Sequence, residues 1–119
     1  MSKRGVPFTN GDHRREPRYA FVATAEVFDE QSNSTIWARL GDLSLHGCFV
    51  RMINPLPKGT SITIRVSAGP SVFHARGKVV NAQPGRGFGV EFHEIEPVYQ
   101  TVLEDWLREA QTLNNDALL

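Results

Sequence analysis

A chain of 119 residues with 40% apolar content fits one domain around one modest core and leaves little room for a second. Thirteen Lys and Arg balance thirteen Asp and Glu, so the whole-chain charge selects neither a polyanion nor a polycation as partner. The single cysteine, Cys48, excludes an internal disulfide and suits a reducing compartment; no apolar run nears the ~20 residues of a membrane span, and the basic N-terminus lacks the apolar core of a secretory signal, so a cytoplasmic protein is expected.

Residues 1–12 are polar, aperiodic and rich in turn formers, and read as a flexible arm. Positions 1–18 hold five basic groups against two acidic, positions 19–90 seven against four, and positions 91–119 one against seven. The arm and middle can therefore attract an anion, whereas the C-terminal part cannot. From Tyr19 to Phe28 the chain is rich in β-formers, and the turn cluster DEQSNS leads into a second strand at 35–44. A third strand follows at 47–52, then a Pro- and Gly-containing loop at 54–60. Ile62, Ile64 and Val66 alternate in the fourth, Phe73, Ala75, Gly77 and Val79 in the fifth, and Phe88, Val90 and Phe92 in the sixth. Six short strands with frequent turns predict an all-β fold, a closed or nearly closed antiparallel barrel that leaves no sheet edge to pair with other molecules.

The period changes after EIEP. Pro97 suits a first helical position, and Val98, Val102, Leu103, Trp106, Leu107, Ala110 and Leu113 form a helical apolar stripe. A helix of about 97–112 is expected to pack on the barrel, with Glu104 and Arg108 as an i,i+4 pair and 113–119 fraying. The domain proper is read as 13–112.

Two short stretches carry candidate chemistry. Arg14, Arg15 and Arg18 crowd five positions around Pro17, which biases Glu16 away from the helical region. In an extended loop Arg14 and Arg18 lie up to ~13 Å apart, too far for one phosphate and suited to the two ends of a larger ligand. Arginine offers a planar fork for phosphate and guanine edges and a face that stacks on bases. Taken alone, these arginines are equally well read as a solvated leader. Further on, Asp42, Ser44 and Gly47 form D-x-S-x-x-G. In an extended segment positions 42 and 44 share a side, which places on one surface a carboxylate that can accept from guanine N–H groups and a hydroxyl that can meet a phosphate. Gly47 allows a turn or a close ligand approach, and the same residues also suit an ordinary turn.

In this order and within this strand pattern, RREPR at 14–18, DLSLHG at 42–47 and RGFGVEF at 86–92 resemble the PilZ domain family over about residues 13–110. The resemblance implies a six-stranded antiparallel β-barrel, with the C-terminal helix packed on it, that binds the bacterial second messenger cyclic di-GMP. Arg14 and Arg18 then match the arginines that contact phosphates and guanine faces, and Arg15 is an additional arginine. Asp42, Ser44 and Gly47 match the motif that holds a guanine and phosphate. His13, His46 and Arg86 are possible further contacts. Cyclic di-GMP is a dianion, which suits charge-assisted arginine bonds, and ordering of the arm on binding gives a switch that a protein partner can read.

No metal is expected, because the four histidines lack ligand spacing, and no catalytic role either, because Ser44 has no neighbouring base in sequence. Cys48 reads as a buried small hydrophobe, and Trp37 and Trp106 as core or barrel–helix packing. The expected protein is thus a non-enzymatic receptor without cofactor. The alternatives are a small barrel that binds single-stranded nucleic acid and a PilZ-like interaction module that binds no ligand; an even charge balance weighs against a nucleic-acid polymer.

Overall fold

The computed structural model describes residues 16–118, with side-chain surroundings through 113. Seven strands precede one helix: β1 (Tyr19–Ala20), β2 (Thr24–Asp29), β3 (Ser34–Leu43), β4 (Gly47–Arg51), β5 (Ser61–Ala68), β6 (Ser71–Gln83), β7 (Gly87–Glu94) and α1 (Pro97–Leu118). All pairings are antiparallel. The sheet runs β3-β2-β5-β6-β7-β4 and closes through β3–β4, with β1 added on β3. The result is a closed six-stranded barrel plus one short strand.

Alternation in sequence dictates the core. Ile62, Ile64 and Val66 of β5, Phe73 and Val79 of β6, and Phe88 of β7 are all essentially buried. The expected first strand, Tyr19 to Phe28, is broken into β1 and β2. Ala20 pairs with Asp42 and Thr24 with Arg39, so three residues of one side face two of the other. Phe21 turns toward the helix, its ring 5.0 Å from that of Trp106, while the Ala23 carbonyl accepts from the Leu40 amide at 3.1 Å and keeps the two strands joined. The turn expected at 81–87 is shorter, because β6 runs to Gln83 and β7 starts at Gly87.

Trp37 is not in the core. Ile36, Ala38 and Leu40 face inward on β3, which turns Trp37 outward, 68% exposed. Trp106 does pack as expected: with Leu103 it anchors α1 on the barrel, near Phe73 and Phe21. The helix continues past 112, to Leu118. The ends of its apolar stripe, Val98 and Leu113, stay exposed. Arg108 pairs with Asp105 at 2.7 Å rather than with Glu104, whose carboxylate accepts from Gln100 instead.

Barrel closure depends on β4 fitting between β3 and β7. At Gly47 a Cβ would lie 2.2 Å from the Val90 carbonyl oxygen, and at Gly87, whose φ is 153°, 2.0 Å from that of Val50. No side chain fits without parting the two strands. Cys48, next to Gly47, is fully buried and unpaired as a thiol. Burial pushes its thiol well above the ordinary range, the Asp42 carboxylate adds to this, and the Arg18 guanidinium opposes it.

Gly47→Ala is therefore expected to destabilise the ligand-free protein by about 1–3 kcal/mol, the typical cost of overpacking, read as a lowered thermal midpoint. Cys48 is expected to resist alkylation at neutral pH until the fold is denatured. Because its folded pKa lies above the unfolded one, its share of stability is present below about pH 8.5 and falls as pH rises past it. Alkaline denaturation curves of wild type and Cys48→Ala check this, the variant losing less stability on going basic.

Candidate functional site

An open groove of about 670 Å³ lies on the outer face of the barrel, between the segment at 16–18, the β3–β4 turn and the β6–β7 end. Two bulges build it. On β3, Leu40 pairs with Val50 but Asp42 pairs with Phe49, leaving Gly41 as the extra residue. Leu40 and Leu43 are consequently both buried. Strict alternation would put Asp42 on the inward side with Leu40; the bulge turns it out to the groove. On β6, Val79 pairs with Val90 and Asn81 with Gly89, so Val80 is extra, and Val80, Asn81 and Gln83 come to the groove wall.

Pairing of β1 with β3 delivers Arg18. The guanidinium donates from Nη2 at 2.9 Å and from Nε at 3.2 Å to the same oxygen, Oδ1 of Asp42. The two side chains are 45% and 34% exposed. An ion pair this wet contributes about 0–1 kcal/mol, so it aims both groups while leaving them exchangeable for a ligand. Pro17 precedes Arg18 in a non-helical segment.

Ser44 departs from the expected alternation. It is fully buried, not displayed on the surface beside Asp42. Both its backbone N–H, at 2.8 Å, and its hydroxyl, at 3.1 Å, donate to the Gly47 carbonyl. The physical reason is that the tight turn starts at this residue, so the strand period ends there. The serine and glycine of D-x-S-x-x-G thus fix the turn that aims Asp42. His46, at the tip of that turn, faces the Glu16 carboxylate with Nδ1, and its backbone carbonyl accepts from the Phe92 amide at 2.8 Å.

The structure brings Arg18, Asp42, Ser44, His46, Gly47 and Arg86 to one groove. Arg14, Arg15 and His13, and the arm at 1–12, lie outside the described residues. Four polar wall residues escaped the sequence reading, Glu16, Asn81, Gln83 and Glu91, along with Phe49, Val80, Gly89 and Val90. Asn81 and Gln83 end β6 just before the turn that the Arg86 amide closes on the Gln83 carbonyl at 2.9 Å, a signal visible only once β6 and β7 are paired. Among the described residues the wall carries three carboxylates, Glu16, Asp42 and Glu91, against two guanidiniums, Arg18 and Arg86. No cluster of three or more metal-ligating side chains occurs among the described residues. No helix among them is long and apolar enough to cross a membrane.

Comparison with known proteins agrees with the fold. Among solved structures, the chain is similar to the PilZ domain, with cyclic di-GMP, of YcgR from Escherichia coli: 19% identity, 88% of this chain and 96% of that one, TM-score 0.69. The whole YcgR of Escherichia coli in complex with cyclic di-GMP aligns at 22% identity over 88% of this chain and 49% of that one, TM-score 0.72. The Bacillus subtilis inhibitor of motility MotI/DgrA aligns at 16% identity over 96% of this chain and 53% of that one, TM-score 0.68. At these identities the likeness is one of fold. No curated protein matches by sequence. The PilZ domain family model matches residues 12–109, a span that takes in the arginine segment, the barrel and most of α1, and the chain belongs to the PilZ domain family.

Proposed function

We propose that this protein is a receptor for cyclic di-GMP that catalyses no reaction and signals through the surface around its groove. The observation that carries the reading is the meeting of both sequence motifs at one point, Arg18 on Asp42 at the mouth of a groove of about 670 Å³. That volume lies within the range of small-molecule sites, about 300–1,000 Å³. Family membership and the likeness to structures solved with cyclic di-GMP support the same ligand.

The chemistry divides between the two partners of the ion pair. Arg18 exchanges Asp42 for a ligand phosphate, using its planar fork. Asp42, released, accepts from guanine N1–H and N2–H₂. Ser44 and Gly47 act through the turn they hold, and His46 and Arg86 border the ligand. The described wall holds more carboxylates than guanidiniums, so a dianion needs further positive charge. We assign that charge to Arg14 and Arg15, with His13 beside them. Their engagement by the ligand alters the surface offered to a protein partner, in the cytoplasm where this messenger acts.

Calorimetric titration with cyclic di-GMP, with GMP as control, checks the reading. Wild type is expected to bind the dinucleotide in preference to GMP, and absence of both heat and thermal shift would remove the proposal. Arg18→Ala and Asp42→Ala are each expected to weaken binding by about 1.5–3 kcal/mol while leaving the ligand-free thermal midpoint nearly unchanged. Arg14→Ala is expected to cost more than Arg86→Ala; the reverse order would show that the missing charge comes from elsewhere.

A further inference from the structure

A second open groove of about 590 Å³ adjoins the first on the far side of Phe49, and Asp42, Phe49 and Arg86 line both. Its floor is unusual in charge. Arg39 of β3 and Arg51 of β4 are direct cross-strand partners, both exposed. Like charges placed opposite each other destabilise a sheet unless something between them is negative. Arg18, Arg65, Arg76 and Arg108 each have a carboxylate within reach, whereas among the described residues Arg39, Arg51 and Arg86 have none. Three guanidiniums thus line one groove, none of them ion-paired among the described residues, while Asp42 at its border is taken by Arg18.

Apolar side chains flank them. Trp37 stands two residues before Arg39 on the same face of β3, and Ile53 follows two residues after Arg51; they are 68% and 74% exposed. Trp and Arg are the residues that carry most of the binding energy in protein interfaces. The barrel is closed through β3 and β4, so this face offers no free strand edge, and whatever docks there is held by side chains. A nucleic-acid strand fits poorly, because Glu26 lies directly opposite Trp37 and Asp42 borders the other end. Both carboxylates are themselves ion-paired, to Arg65 and Arg18, so the unpaired positive charge is confined to a short patch, which suits a discrete acidic side chain better than a continuous row of phosphates.

We propose that the Trp37–Arg39–Arg51–Ile53 face is a docking site for an acidic segment of a partner protein, whose carboxylates bridge Arg39 and Arg51 while an apolar side chain packs on Trp37 or Ile53. The site stands whether or not the first groove takes cyclic di-GMP.

The full chain is titrated with a fluorescein-labelled peptide of repeated Glu-Asp-Leu, with a Lys-Lys-Leu peptide and an oligothymidylate as controls, followed by anisotropy at low and physiological salt. Wild type is expected to bind the acidic peptide alone, more weakly as salt rises. Arg39→Gln combined with Arg51→Gln is expected to weaken binding at least about tenfold. The same variant is expected to melt no lower than wild type, because a like-charge opposition is removed, so loss of binding is not loss of fold. Failure of wild type to bind the acidic peptide at millimolar concentration, equal binding by the double variant, or tighter binding of the oligothymidylate would each overturn the proposal.

Discussion

The molecule depends on the fit of β4 between β3 and β7. Closure there allows no Cβ at Gly47 or Gly87, since the Val90 and Val50 carbonyls occupy the space. The same strand supplies Cys48 and Val50 to the core and Phe49 and Arg51 to the outer face. Its first residue closes the turn that Ser44 holds by two hydrogen bonds. One close approach of backbones thus completes the hydrophobic interior and fixes the geometry outside it. Were β4 displaced, Asp42 would lose its cross-strand partner Phe49 and the groove its wall.

On that scaffold the site is assembled from irregularities. A regular β3 would bury Asp42; the Gly41 bulge exposes it. A regular β6 would carry its alternation unbroken to the turn; the extra residue at Val80 resets it before Asn81. The break at 21–23 lets β1 pair separately and present Arg18. Bulges and strand breaks weaken the ladder locally, and their concentration around one groove is how the fold trades regularity for a binding face.

Much of this was legible in the chain itself. Alternation at Ile62, Ile64 and Val66 and at Phe73 to Val79 located the inner faces, since a period of two has one reading when one face is buried. The switch to a helical period at Pro97 located α1. Arg18, Asp42 and Gly47 were picked out by motif, and they do meet. What stayed hidden depends on pairing between strands. Nothing local tells that Gly41 is a bulge or that Arg39 faces Arg51. Ser44 was assigned to a surface because the strand period was extended one residue into a turn. Trp37 reads as core or barrel–helix packing, although its place between Ile36 and Ala38 points it outward.

The central claim is that the groove joining Arg18 to Asp42 is where cyclic di-GMP binds. Amide chemical-shift mapping of the labelled protein during titration with cyclic di-GMP tests it most directly. Shifts are expected to concentrate at residues 14–18, 42–47 and 80–86, with α1 beyond Trp106 unaffected. Shifts centred on α1 or on the Arg39–Arg51 face, or none at saturating ligand, would contradict it.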